Sequence, residues 1–132
     1  MQNNSFVLDT NIWVSAIITN SEKTLLNYIE EKKLQIYICP EMVNEIEDVL
    51  GRKKIKKHLI LPGIEYVDLI KNNCENIQIM QRYKEAPDED DNYLYDLCIE
   101  TKSILVTGDK LLLSHISIPP IITISRFEFL SL

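Results

Sequence analysis

Short segments rich in β-branched and aromatic residues alternate with amphipathic segments, and this alternation limits the possible folds more than any other feature. Helical spacing of apolar residues separates successive strand-like segments. A chain of this kind favours an α/β fold whose central sheet is mostly parallel. The predicted strands are SFVLD, LQIYIC, a weaker NIQIM, SILVTG and PIITI.

The predicted helices fill the intervals between these strands. Gly51 is a candidate end for the third helix, and polar residues 81–90 lack periodicity and are predicted to form a loop. The predicted helices cover residues 10–18, 22–33, 40–54, 62–73 and 91–102, with a short closing turn or helix at 125–130.

Length and composition indicate one domain over residues 1–132, with no repeat or linker. The first residues do not resemble a signal peptide, and no apolar run approaches the roughly 18 to 20 residues that span a bilayer. We therefore expect a soluble, cytoplasmic protein with no membrane partner. The odd number of cysteines, 3, and the lack of a Cys-x-x-Cys pair predict reduced thiols packed in the core.

The net charge of −6 argues against duplex binding through a broad basic face. This net charge is compatible with a local basic strip. The strip has two interpretations: a solvated helix end, or a contact with RNA or an acidic partner. The basic strip comprises Arg52, Lys53, Lys54, Lys56 and Lys57.

Four acidic residues are predicted to meet at one edge of the sheet. Asp9 ends the first strand, and Asp109 follows the strand SILVTG. Asp91 begins the helix that leads into that strand, and Glu45 lies beside the apolar stripe of residues 40–54. Ligands of open parallel sheets bind beyond the carboxyl ends of the strands. Clustered carboxylates repel one another, and a hard divalent cation such as Mg²⁺ or Mn²⁺ would relieve that repulsion.

Each acid also has a plainer interpretation. Asp9 could only cap the helix after it, and Asp91 or Asp90 could do the same. Asp109 in TGDK fits turn chemistry, and Glu45 alone would be a solvated helix residue. The metal-site interpretation is favoured because all four project to one predicted edge.

Three segments together resemble the PIN-domain family: VLDTNIWVSAI, EIEDVLGRKK and DEDDNYLYDLCIETKSILVTGDKLLL. The resemblance runs from residue 6 to about 130 and is closest to toxins of toxin–antitoxin pairs related to VapC ribonucleases. It implies a three-layer α/β/α fold and an acidic pocket that binds Mg²⁺ or Mn²⁺ and hydrolyses RNA phosphodiesters. It also implies a cognate antitoxin as partner and a homodimer.

Carried over to this sequence, the family's acids fall on Asp9, Glu45, Asp91 and Asp109. Asp9, Asp91 and Asp109 would hold the metal, and Glu45 would position or deprotonate the attacking water. The motif leaves open which of Asp88, Asp90 and Asp91 faces the metal. The resemblance favours Asp91, and its auxiliary residues are Asn11, Thr107 and Asp88. Near the end, TISRFEFL departs from the family's frequent Thr-Pro, which concerns the local turn.

Other acidic α/β pockets fit less well. A haloacid-dehalogenase-type phosphatase needs Asp-x-Asp after the first strand, where this chain has Asn11. A response-regulator receiver needs an acidic pair at the first strand and another strand ending in Asp. His58 and His115 are expected on the surface, outside the pocket. The main rival is a catalytically inactive PIN-like module that binds RNA or protein.

Overall fold

A single parallel sheet forms the centre of the computed structural model, which describes residues 3–117 and 119–132. Within that part of the chain its strands lie in the order β3-β2-β1-β4-β5, and every pair is parallel. The α/β class with a mostly parallel sheet is therefore confirmed. The strands are β1 (Ser5–Leu8), β2 (Gln35–Ile38), β3 (Glu75–Asn76), β4 (Ile104–Val106) and β5 (Thr123–Ile124).

The strand order reverses between β1 and β4. From β1 the chain adds β2 and β3 on one side, then crosses back to place β4 and β5 on the other. Leu8 pairs with Val106, so both central strands end at the same level. In open α/β sheets the crevice beyond such a reversal is where ligands bind. The fold thus has one preferred site, and the residues after Leu8 and Val106 border it.

Helices connect the strands and complete the three-layer α/β/α arrangement that the sequence predicted. The helix Asn92–Thr101 packs across β1, β2 and β4, and the helix Pro40–Leu50 packs against the helices Thr10–Ile18 and Gly63–Asn73. The helices of the described residues are α1 (Thr10–Ile18), α2 (Glu22–Glu31), α3 (Pro40–Leu50), α4 (Lys53–Lys56), α5 (Gly63–Asn73), α6 (Asn92–Thr101), α7 (Lys110–Ser114) and α8 (Arg126–Phe129).

The core lies on both faces of the central strands. Phe6, Val7 and Leu8 are each at most 1% exposed, which explains why β1 is a continuous apolar run without alternation. Trp13 of α1 and Leu94 of α6 are also buried. The closing helix α8 belongs to this core, because the Phe129 ring meets the Phe6 ring edge to face at 5.1 Å.

Several element boundaries differ from those predicted. The third strand begins one residue earlier than NIQIM and is short, although the Ile77 amide still donates to the Ile38 carbonyl at 2.8 Å. The last strand is reduced to Thr123–Ile124. Both lie at sheet edges, where only one neighbour fixes the backbone. The helix predicted over 40–54 ends at Leu50, with Gly51 as its cap residue, and α7 was missed.

The remaining general expectations concern cysteines and membranes. Cys39, Cys74 and Cys98 are all free, and Cys39 and Cys98 are buried, as predicted. Within residues 3–117 and 119–132, no helix is long and apolar enough to cross a membrane.

Candidate carboxylate site

Asp9 lies at the carboxyl end of β1 and is buried, with 6% of its surface exposed. Its backbone amide donates to the Val106 carbonyl at 2.9 Å, which extends the pairing of β1 with β4. Asp9 precedes α1, yet its side chain makes no capping hydrogen bond. Instead, its Oδ2 accepts a hydrogen bond from the Thr107 hydroxyl at 2.8 Å. The plain helix-cap interpretation therefore does not account for this carboxylate.

Burial raises the pKa of Asp9 above its usual value, and the charges of Glu45 and Asp109 add to that effect. The Thr107 hydroxyl opposes the rise because it donates to the ionised form. Asp9 is thus held in a place that disfavours its charge, close to other acids.

Thr107 joins two of the predicted acids. Thr107 is buried and directly follows β4. Its hydroxyl donates to Asp9, and the hydroxyl oxygen also accepts a hydrogen bond from the Asp109 amide at 3.1 Å. Asp109 is exposed, and its Oδ1 accepts from the Leu111 amide at 2.8 Å, which caps α7. The turn interpretation of Asp109 therefore holds for one of its oxygens.

Asp91 is half-buried at the start of α6 and makes no side-chain capping hydrogen bond. Burial raises the pKa of its carboxyl to about 6, and the charges of Asp9, Asp88, Glu45 and Asp109 contribute in that order. Asp91, one of the three candidates in DEDDN, is therefore a residue on which the charges of the other predicted acids act. The Asp88 carboxylate accepts from the Asp90 amide at 3.0 Å as a local cap, and Asp90 is exposed.

Glu45 is half-buried on α3, and a tyrosine from α6 holds it. The Tyr93 hydroxyl donates to Glu45 Oε2 at 2.5 Å and lies 3.0 Å from the Thr10 hydroxyl. Sequence reasoning missed Thr10 and Tyr93. A tyrosine on the buried face of a helix reads as core, and the spacing of 48 residues between its hydroxyl and Glu45 leaves no local signal.

A second group fixes the loop that leads to Asp91. Arg82 forms an ion pair with Glu41 of α3, and its Nη1 lies 3.7 Å from Asp96 Oδ2. Asp96 is buried and accepts from the Tyr83 amide at 2.8 Å. Arg82 therefore ties this loop to α3 and α6, a role that the sequence did not reveal.

The other predicted residues lie around the site or away from it. Asn11 is exposed in the first turn of α1. The basic strip is a separate element: Arg52 pairs with Asp48 at 2.9 Å, and the lysines are exposed on and after α4. His58 is exposed as expected, whereas His115 is half-buried, 5.6 Å from the Tyr95 ring.

The candidate carboxylate site comprises the four predicted acids. Hydroxyl groups donate to Asp9 and Glu45, and a backbone amide donates to Asp109. None of Asp9, Glu45, Asp91 and Asp109 takes part in an ion pair with the residues described. Within that same part of the chain, no three acidic, histidine or cysteine side chains are arranged to hold a metal by themselves. Oxygen donors around a net negative charge fit a hard cation such as Mg²⁺, which keeps several waters and takes one or two carboxylates.

The sheet order and this site define an α/β protein with acidic residues at its topological switch point. The family model described as PIN domain matches residues 5–111. An uncharacterised protein of Methanocaldococcus jannaschii, MJ1680, is 32% identical over 118 residues, which cover 82% of this chain and 72% of that protein. The chain belongs to the PIN-domain family. Members of that family are typically nucleases, which supports a hydrolase function at this coarse level.

Two solved structures share the fold. One is VapBC2 from Rickettsia felis bound to a DNA fragment from their promoter, with a TM-score of 0.66, 19% identity, and coverage of 92% of this chain and 98% of that one. The other is a domain of a functionally unknown protein from M. jannaschii, with a TM-score of 0.56, 22% identity, and coverage of 92% and 90%. At these identities the likeness is one of fold.

Proposed function

We propose that this protein is a Mg²⁺- or Mn²⁺-dependent endoribonuclease that acts in the cytoplasm as the toxin of a toxin–antitoxin pair. One observation carries the proposal: Asp9, Glu45, Asp91 and Asp109 come from separate elements, yet the charges of Glu45 and Asp109 help to raise the pKa of Asp9, and the charges of the other three help to raise the pKa of Asp91. Such like-charge crowding, with no ion pair to these acids among the described residues, suits a divalent cation and a phosphate substrate.

In this proposal the chain's own residues have distinct tasks. Asp9, Asp91 and Asp109 would hold the cation, with Thr107 fixing Asp9 and Asp88 as an auxiliary acid. When bound, the cation supplies an acidified water and offsets the charge that develops on the phosphate. Glu45 would position that water or accept its proton. Asn11, exposed in the first turn of α1, would contact the substrate.

The test is cleavage of a mixed RNA by purified protein with Mn²⁺, compared with Asp9→Asn and with Asp68→Asn. Asp68 is exposed on α5 and serves as the matched control. We expect the wild type and Asp68→Asn to cut, EDTA to stop both, and Asp9→Asn to be inactive with an unchanged circular dichroism spectrum. Full activity of Asp9→Asn would refute the assigned site.

A second candidate is a PIN-like module that binds RNA or protein without cutting. It is favoured by the exposed Asp109, one of whose oxygens caps α7, and by the lack of a closed three-ligand group among the described residues. Such a module would retard RNA in a gel without shortening it, with or without Mn²⁺. Shortened RNA in the wild-type lane alone would exclude it.

For partners, we propose a cognate antitoxin and a homodimer of single-domain chains covering residues 1–132. The fold similarity to VapBC2 supports the antitoxin. Analytical ultracentrifugation would test the homodimer, and a single cooperative unfolding transition would test the single domain. The exposed strip of Arg52, Lys53, Lys54 and Lys57 is the proposed contact for an acidic segment of the antitoxin or for RNA. Unaltered affinity for both after Lys53, Lys54 and Lys57 are changed to Ser would exclude that contact.

A further inference from the structure

A hydrogen-bond relay crosses the carboxylate site and ends on Glu45. The Tyr93 hydroxyl lies 2.5 Å from Glu45 Oε2 and 3.0 Å from Thr10 Oγ1. A tyrosine has one hydroxyl proton, and an ionised carboxylate only accepts. Tyr93 therefore donates to Glu45, and Thr10 must donate to Tyr93. The relay has one direction: Thr10 to Tyr93 to Glu45.

We propose that Tyr93 is a positioning residue that holds Glu45 in the carboxylate site through this relay. Thr10 directly follows Asp9 and is the first residue of α1, so the relay fixes Glu45 of α3 relative to α1. This inference rests on the proposed function for its catalytic consequence. The relay itself is a matter of geometry and has its own test.

The need for such a residue follows from the charges. A glutamate on a half-buried helix face has three rotatable side-chain bonds and loses roughly 1.5 to 2 kcal/mol of rotamer entropy when it is fixed. The charges of Asp9 and Asp91 also repel it toward water. Tyr93 is the hydroxyl donor that opposes both tendencies: among the described residues, no other group donates a hydrogen bond to the Glu45 carboxylate.

Tyr93 is suited to this task because its place in the core restrains it. Tyr93 is buried, with 8% of its surface exposed, so little space is left for its side chain to move away from Glu45. The hydroxyl uses one glutamate oxygen and leaves Oε1 for a water.

The first test is a double-mutant cycle on unfolding in EDTA, which needs neither metal nor RNA. The variants are Tyr93→Phe, Glu45→Met and the double variant. A hydrogen bond to a charged group predicts a coupling of about tenfold or more in the unfolding equilibrium constant. Independent effects would show that the two side chains do not interact and would overturn the relay.

The second test separates positioning from structural support. Tyr28→Phe is the matched control, since the Tyr28 hydroxyl donates to the Phe129 carbonyl at 2.7 Å, away from the carboxylates. We expect Tyr93→Phe to lower kcat for RNA about 10- to 100-fold with KM changed less than about twofold, because a misplaced catalytic group acts on the chemical step. Tyr28→Phe should change stability alone.

The outcomes distinguish the two proposals. If the wild type cuts no RNA while the cycle shows coupling, the proposed function fails and the relay stands. If the wild type cuts RNA and Tyr93→Phe cuts it equally fast, the positioning role is overturned. A Thr10→Ser variant that keeps kcat, beside a Thr10→Val variant that loses it, would support the relay as drawn.

Discussion

Replacing Asp91 by Asn should make the metal-free protein more stable at neutral pH. Asp91 is half-buried, makes no side-chain capping hydrogen bond, and has a pKa raised from 3.8 to about 6 by burial and by neighbouring carboxylates. Asn has nearly the same shape and no charge. The substitution therefore removes an unfavourable charge and breaks no hydrogen bond of that side chain.

The sign and size follow from linkage. A carboxyl whose pKa is raised by folding favours the folded state when it is protonated, so this contribution is complete below about pH 4 and is lost as the pH rises through about 6. A shift of about two units corresponds to roughly 3 kcal/mol at 1.36 kcal/mol per unit. Solvent screens a partly exposed group, so we expect about 1–2 kcal/mol.

The assay is urea unfolding in EDTA at several pH values between about 4 and 7.5. The gain of Asp91→Asn over the wild type should be near zero at the acid end and reach its full size above pH 6. The neighbouring exposed Asp90, replaced by Asn, is the control and should show no such trend. A gain that is absent at pH 7.5, or equal at every pH, would refute the electrostatic reasoning.

Saturating Mn²⁺ should make the wild type more stable than Asp91→Asn, because a ligand at 100 times its Kd stabilises the protein that binds it by about 2.7 kcal/mol. Thr107→Val should destabilise the fold by about 1–3 kcal/mol in urea, since buried Asp9 loses its donor, whereas Thr107→Ser should not; equal losses would contradict this. Arg82→Met should speed hydrogen exchange at the Tyr83 amide, while Arg52→Met, which breaks an exposed pair, should leave it unchanged. Phe129→Ala should lower the free energy of unfolding by about 3–5 kcal/mol, and exposed Phe127→Ala should lower it by less than about 0.5 kcal/mol. Similar losses for the two variants would place α8 outside the core.

The sequence was informative where a single segment carried the signal. The apolar run before Asp9 and the run before Thr107 both predicted buried strands, and parallel strands necessarily bring their carboxyl ends to one edge. The positions of Asp9 and Asp109 followed from that rule. The edge strands were predicted too long, because β propensity does not say how much of a segment finds a partner.

What the sequence could not supply were contacts between distant side chains. Tyr93 and Glu45 meet only because α3 and α6 pack near the same edge, and Arg82 reaches Glu41 from a loop without periodicity. Likewise, KLLLS is too short for helical periodicity, so α7 was not foreseen, although Asp109 before it was recognised as a turn former.

The donors are distributed unequally over the four acids, and this inequality says where a cation would matter most. Thr107 donates to Asp9, Tyr93 donates to Glu45, and a backbone amide donates to Asp109. Among the described residues, nothing donates to the Asp91 side chain, although all the other acids act on it. The unfavourable charge of the site is therefore concentrated at Asp91. Active sites commonly retain such destabilising groups, so a stability gain at Asp91 with a loss of Mn²⁺ binding would mark it as functional.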